Sequence, residues 1–179
     1  MKSGLAVIGV LTAAILFLGP LLAQVPATQN PVIGVWKQNR EKSTYDPGPP
    51  PPQGFYAVRQ YAAGNDGSIV AITMNVDPQG LPSLGAVTAA RYDEKEYPQH
   101  TLTTLATSLS AHIGPTITRT ISYKEINLYT VEIIQRQDGE IVARSIRTIS
   151  RDGNTMTERT ESKNPLGQPL VNVLYFDRQ

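Results

Sequence analysis

The chain has 179 residues and no cysteine, with 16 basic side chains against 15 acidic ones. Without an N-terminal leader roughly 150 residues remain, a size that suits one domain with a real hydrophobic core. The absence of cysteine excludes disulfides, thiol catalysis, iron–sulfur clusters and zinc sites built on thiolates. The basic and acidic residues are interleaved and nearly cancel, so no basic stripe is available for phosphate contacts. We therefore expect no nucleic-acid partner.

The N-terminal residues have the layout of a secretory signal peptide. Lys2 supplies the positive start, residues 5–23 are nearly all apolar, and Pro20 interrupts the run near its end. Cleavage after Ala23 would leave bulky Leu21 at the −3 position, and cleavage after Ala27 would leave Val25 there, so the small-residue cleavage pattern is imperfect at both sites. The alternative is an uncleaved membrane anchor, because the apolar run approaches the length of a spanning helix. Either reading predicts a domain outside the cytoplasm, periplasmic or secreted if the leader is removed, with no stable membrane association unless it is retained.

The mature chain, residues 28–179, reads as one antiparallel β-rich domain. Turn signals recur about every ten residues, with runs of Val, Ile, Thr and Tyr between them. Residues 47–52, which are rich in proline, predict an extended polyproline II arm. Gly34-Val35-Trp36 opens the domain. The strands predicted after it cover residues 55–63, 68–76, 84–92, 117–124, 129–137, 140–150, 155–162 and 170–176.

One segment departs from the strand pattern. Between residues 101 and 113 apolar side chains recur at helical spacing, and Gly114-Pro115 is a strong stop. The many threonines in the segment lower its helix propensity. We nevertheless expect one short inserted helix near 101–113.

A fold of eight or nine sequential strands closes most economically into an up-and-down barrel, because closure removes the exposed edges of a sheet. The runner-up is a two-sheet β-sandwich. A barrel of this size has room for its own side chains or for one small ligand.

Two Asp-Gly pairs, at Asp138 and at Asp152, are typical of two-residue type I′ turns and predict the register of two hairpins. The first turn places two pairs of residues opposite each other: Val131 with Ile146, and Gln135 with Val142. The second turn predicts three pairs: Arg147 with Glu158, Arg144 with Glu161, and Ile149 with Met156. Two opposite-charge pairs in one register support it, because like charges in such positions destabilise a ladder.

Several short motifs resemble those of uncharacterised secreted bacterial lipocalin-like proteins, which have calycin-type barrels. The first is the G-x-W triplet Gly34-Val35-Trp36. The others are Lys37-Gln38-Asn39, Lys42-Ser43, Asp46-Pro47-Gly48-Pro49, Tyr92-Asp93, Tyr97-Pro98, Thr120-Ile121-Ser122, Asp138-Gly139, Asn172-Val173 and Tyr175. The resemblance implies that Trp36 packs at the closed end of the barrel against a basic residue of a late strand, a place that Arg178 could fill. Residues 100–116 look like an insertion, which puts the usual barrel mouth in doubt.

A search for catalytic chemistry finds none. His100 and His112 flank the predicted helix and would lie roughly 18 Å apart if it forms, too far to share one metal ion. The acidic run from Asp93 to Glu96 reads as a solvated loop. Glu158 and Glu161 are three residues apart, so on one strand they point to opposite faces. No motif for a cofactor occurs, and we expect a protein that is not an enzyme.

The candidate ligand-binding residues follow from the alternation of the predicted strands. Val70, Ile72 and Met74 alternate with smaller residues and are assigned to the inner face with Trp36. Arg147 and Glu158 point inward if they share a face with Ile149 and Met156, and they would then orient a polar ligand head. The alternative is that this face looks outward.

Three functions remain open. The leading one is non-catalytic binding of a small, mostly apolar molecule. The second is a structural or partner-binding module of the cell envelope, with the barrel filled by side chains. The third is an enzyme of unfamiliar type. Ligand identity and oligomeric state do not follow from the sequence.

Overall fold

The computed structural model describes residues 30–101 and 117–179. These residues form ten antiparallel strands that close into a barrel, in which each strand pairs with its neighbours in sequence and β1 pairs with β10. The strands are β1 Gly34–Asp46, β2 Tyr56–Ala63, β3 Ile69–Val76, β4 Pro82–Ala90, β5 Tyr97–Thr101, β6 Arg119–Asn127, β7 Thr130–Gln137, β8 Glu140–Ile149, β9 Thr155–Lys163 and β10 Pro169–Arg178.

The predicted all-β barrel is confirmed, and the sandwich alternative is wrong, because β1 and β10 join the ends of one continuous sheet. The strand count is ten rather than eight or nine, chiefly because β5 was not predicted. This strand has five residues and contains Pro98, which cannot donate to a ladder. Of the predicted helix near 101–113, Thr101 ends β5, and the remaining residues lie outside the described ones.

The two Asp-Gly turns differ in detail. Asp138 and Gly139 both have positive φ, 52° and 85°, as a type I′ turn requires. In the second turn only Gly153 has a positive φ, and the loop is closed by a hydrogen bond from the Ser150 amide to the Thr155 carbonyl, 2.9 Å long. The prediction of a second type I′ turn is therefore wrong.

The predicted β8–β9 register is confirmed at all three pairs: Arg147 with Glu158, Arg144 with Glu161, and Ile149 with Met156. The β7–β8 register is confirmed only next to the turn. A bulge beside Arg136 shifts the pairing by one residue, so Val131 lies opposite Arg147 and Gln135 opposite Ala143. The ion pair of Arg144 also differs from the expected one with Glu161. Its Nη1 lies 3.8 Å from Oε1 of Glu132 instead.

One end of the barrel is closed by packed side chains. Trp36, Met156 and Phe176 are fully buried there, and the indole Nε1 donates to the Val32 carbonyl at 2.8 Å. The Arg178 guanidinium lies over the Trp36 ring, 4.2 Å from its centroid. The contact expected from the lipocalin resemblance is therefore present in this chain.

The inner face of β3 is the opposite of the predicted one. Ala71 and Thr73 line the interior, so alternation places Val70, Ile72 and Met74 on the outer face, where they are half-buried. The cross-strand partners agree, since Ile72 pairs with exposed Gln60. The assumption that the larger side chains face inward failed here because the lumen already holds large side chains from other strands.

Candidate functional site

The lumen contains a cavity of about 190 Å³. Its walls come from β2 to β9, and most of the side chains around it are polar. The polar residues that line it are Arg59, Tyr61, Thr73, Thr88, Gln99, Thr101, Arg119, Tyr123, Gln135, Ser145, Arg147 and Glu158. The cavity lies above the closed end, and its wall includes Thr101 and Arg119 from the end of the barrel opposite Trp36.

Small side chains make the space. Ala71, Gly85 and Ala86 lie on the cavity wall, where larger residues would fill it. Gly85 sits at a bulge between β3 and β4, and a Cβ added there would lie 2.9 Å from the Thr73 Oγ1. This close approach of the two strands explains a residue without a side chain at that position.

Arg147 is the most buried charged residue of the lumen, with 2% of its surface exposed. Its guanidinium carbon lies 4.8 Å from the ring centroid of Tyr61, 5.7 Å from that of Tyr92 and 5.6 Å from that of Tyr123. One terminal nitrogen donates a hydrogen bond to the Tyr92 hydroxyl. Three aromatic rings therefore surround one cation, an arrangement that stabilises a desolvated guanidinium through the negative faces of the rings.

Tyr92 and Tyr123 are neutral groups. Burial raises the pKa of Tyr92 and the pKa of Tyr123, because it penalises the phenolate form. Among the described residues of the cavity wall, the only carboxylate is that of Glu158, which is half-buried and lies across the strand pair from Arg147. The same wall carries three guanidinium groups, those of Arg59, Arg119 and Arg147, so its described residues have an excess of positive charge.

A second unusual feature of the cavity wall is the hydrogen bonding of Arg119. Its terminal Nη2 donates to Gln137 Oε1 at 2.9 Å, but its Nε is buried and has no hydrogen-bond partner among residues 30–101 and 117–179. A buried donor without a partner costs free energy, typically about 1–3 kcal/mol. Such a group at the edge of a cavity is open to compensation by a bound molecule.

The structure brings together two of the six predicted site residues. Arg147 and Glu158 both face the cavity, as one of the two readings of their strands expected. Trp36 is internal but belongs to the packed closed end of the barrel. The side chains of Val70, Ile72 and Met74 lie on the outer face of β3. Their assignment to the lumen is wrong.

Sequence reasoning missed the three tyrosines around Arg147, and it also missed the two other arginines of the cavity wall, Arg59 and Arg119. Arg59 and Tyr61 are two residues apart on β2, which is the spacing of side chains on one face. That signal could have placed them together on one face of β2. Their approach to Arg147 depends on closure of the barrel, which no short-range pattern encodes.

The other candidate groups lie away from the lumen. His100 is exposed on the outer side of β5, whereas His112 falls outside the described residues. In the acidic loop, Glu96 accepts a hydrogen bond from the Thr120 hydroxyl at 2.7 Å and approaches Arg136 at 3.5 Å, as expected for a solvated network. Within residues 30–101 and 117–179 no cluster of three or more metal-ligating side chains is found, and no helix there has the length and apolar character to span a membrane.

The closed antiparallel barrel is compatible with a calycin-like fold. A scan of protein-family models gives no match to this chain, and a search of curated proteins gives none either. The lipocalin resemblance accordingly rests on the short motifs of the sequence and on the contact between Trp36 and Arg178.

Proposed function

We propose that this protein is an exported, non-catalytic, lipocalin-like protein that binds a small molecule in the lumen of its barrel. The observation that carries the proposal is the internal cavity, with a buried cation, Arg147, on its wall. Pockets for small molecules characteristically contain a few convergent polar groups that fix the orientation of the ligand, and Arg147 is such a group. The export part of the proposal rests on the signal-peptide pattern of residues 1–27.

The size of the cavity limits the ligand. An apolar cavity of about 150 Å³ accommodates benzene, so about 190 Å³ suits one ring or a short chain with a polar group. The polar wall favours a compact ligand with a polar end over the mostly apolar molecule expected from the sequence.

A second candidate is a structural or partner-binding module of the cell envelope. One observation favours it: the cavity is smaller than the roughly 300 Å³ at which pockets for drug-sized ligands begin. In that case the large inward side chains would pack the interior of a rigid barrel, and the remaining space would hold only water.

The two candidates are separated by a pair of variants on β4. Ala86 is buried on the cavity wall, and Ala89 on the same strand is exposed on the outer face. Protein purified from its native host is denatured, and the small molecules released are identified by mass spectrometry. We expect a stoichiometric ligand from the wild type and from Ala89→Phe, and none from Ala86→Phe. If none of the three proteins releases a ligand and none binds small probes, the result would favour the structural or partner-binding module.

Export is tested separately. The intact mass of the protein recovered from the native host should correspond to a chain that begins after Ala23 or after Ala27. A full-length mass in the membrane fraction would support the retained anchor, and a full-length mass in the cytoplasm would refute export.

A further inference from the structure

We propose that the lumen selects a small organic anion of the carboxylate type and that the Arg147 guanidinium is its anchor. The proposal deepens the proposed function and rests on the lumen being the binding site. It follows from the hydrogen bonding of Arg147, the charge balance of the cavity and the residues of its wall, each of which favours a negatively charged ligand.

Arg147 has more hydrogen-bond donors than the described residues engage. A guanidinium has five N–H groups. The one hydrogen bond of this side chain in the described part of the structure goes to the Tyr92 hydroxyl. The three rings stabilise the charge but accept no conventional hydrogen bonds, so most of the donors remain available to a molecule in the cavity.

The charge balance around Arg147 also favours an anionic ligand. A cation that is buried without a counter-ion is costly, and its cost falls when a hydrogen-bonded anion joins it. None of the ion pairs within 4.0 Å among the described residues involves Arg147. Glu158 lies opposite it but is half-buried and beyond that distance, and Arg59 and Arg119 add positive charge to the same wall. One carboxylate of a ligand would compensate this excess.

The rest of the cavity wall fits the apolar part of such a ligand. Ile121, Ile133 and Ala71 are buried apolar residues beside the cavity, and they can pack against a ring or a short alkyl chain. A planar carboxylate matches the fork of an arginine, which binds it through two parallel N–H groups. Glu158 disfavours a second negative group near the first, so the wall fits a monoanion better than a dicarboxylate.

The test compares three probes of nearly equal shape: benzoate, benzamide and benzamidine, which are negative, neutral and positive. Binding to the full exported protein is measured by isothermal titration calorimetry, after any host ligand has been removed by unfolding and refolding. We expect benzoate to bind at least about 10-fold more tightly than benzamide, because a carboxylate accepts two parallel charge-assisted hydrogen bonds from a guanidinium, whereas the neutral amide offers one carbonyl oxygen. Benzamidine should not bind. This comparison needs no variant and is therefore independent of any folding defect.

The anchor itself is tested with Arg147→Met and Arg147→Lys. Arg144→Met is the matched control, because Arg144 lies on the same strand with its side chain exposed on the outer face. Benzoate affinity should fall on the order of 10- to 100-fold in Arg147→Met, fall less in Arg147→Lys and stay unchanged in Arg144→Met. Circular dichroism checks that each variant retains the sheet.

The outcomes separate the anion preference from the proposed function. Equal binding of benzoate and benzamide, or a neutral or cationic ligand from the native host, would overturn the anion preference and leave the lumen as a binding site. Benzoate binding that survives Arg147→Met would overturn the role of Arg147. If no probe binds and Ala86→Phe changes nothing in the host-derived ligand, the proposed function fails as well.

Discussion

Arg178 is predicted to be a main stabiliser of the closed end. Its Nε donates to the Gly153 carbonyl at 2.5 Å, and its two terminal nitrogens donate to the carbonyls of Ile33 and Pro31, each at 2.6 Å. The same group covers the Trp36 ring at 4.2 Å. One side chain thus ties the segment before β1 to the β8–β9 loop and to the last strand.

Replacing Arg178 by Met removes the three hydrogen bonds and the cation–π contact but keeps an apolar chain over Trp36. Hydrogen bonds from a charged donor are worth about 1.5–3 kcal/mol each, but the site is half-exposed and water can replace part of them. With about 1 kcal/mol for each of the three hydrogen bonds and up to about 1 kcal/mol for the cation–π contact, the loss is about 3–4 kcal/mol. For a domain of this size that lowers the melting temperature by about 6–16 °C.

The assay is thermal unfolding followed by circular dichroism. Arg178→Lys keeps the charge but not the fork, so its melting temperature should lie between those of the wild type and Arg178→Met. Arg151→Met is the matched control, because Arg151 is an exposed residue in the neighbouring loop and should melt with the wild type. If Arg178→Met and Arg151→Met melt together, the closed end does not depend on this residue and the stability estimate is refuted.

Three further predictions concern stability. Met156 is completely buried, so Met156→Ala should lower the free energy of unfolding by about 2–5 kcal/mol in a urea titration, whereas Thr157→Ala on the opposite face should change it by less than about 1 kcal/mol. Gly139 has a φ of 85°, so Gly139→Ala should cost about 1 kcal/mol, but Asp138→Asn, which keeps the turn chemistry, should melt like the wild type. Hydrogen bonds from Ser68 lower the pKa of Asp66 from 3.8 to about 2, so the ionised form stabilises the fold above pH 4 and that contribution disappears as the pH falls towards 2. Melting curves at several pH values should therefore show a smaller acid destabilisation for Asp66→Asn; equal pH profiles would contradict this.

The hairpins could be predicted because their information is local. Asp138-Gly139 supplies the two positive φ angles that a tight turn needs, and the β8–β9 register placed Arg147 opposite Glu158. The barrel followed from the succession of such hairpins, since a meander of many strands has few other ways to hide its edges.

The parts that could not be predicted depend on distant strands or on irregular geometry. The bulge beside Arg136 moves one register by a residue, although no glycine or proline marks the place. The prediction of the inner face of β3 was wrong because the smaller residues, Ala71 and Thr73, face the lumen, which they share with Arg147 and Tyr61. Size alternation alone cannot show which face has room.

The side chains around Arg147 illustrate the same limit at the candidate site. Tyr61, Tyr92 and Tyr123 come from three separate parts of the chain and meet only after closure. The sequence shows that Arg147 faces inward if Ile149 does. It does not show that three aromatic rings will take the place of a counter-ion.

The most direct measurement is an NMR titration of protein labelled with ¹³C at the alanine methyl groups, using benzoate or the ligand recovered from the host. Ala71 and Ala86 report on the lumen, and Ala62 and Ala89 report on the outer face of neighbouring strands. Binding in the lumen predicts saturable shifts of the first pair and unchanged signals from the second. Shifts confined to the outer methyl groups, or none at any concentration of either compound, would contradict a ligand site inside the barrel.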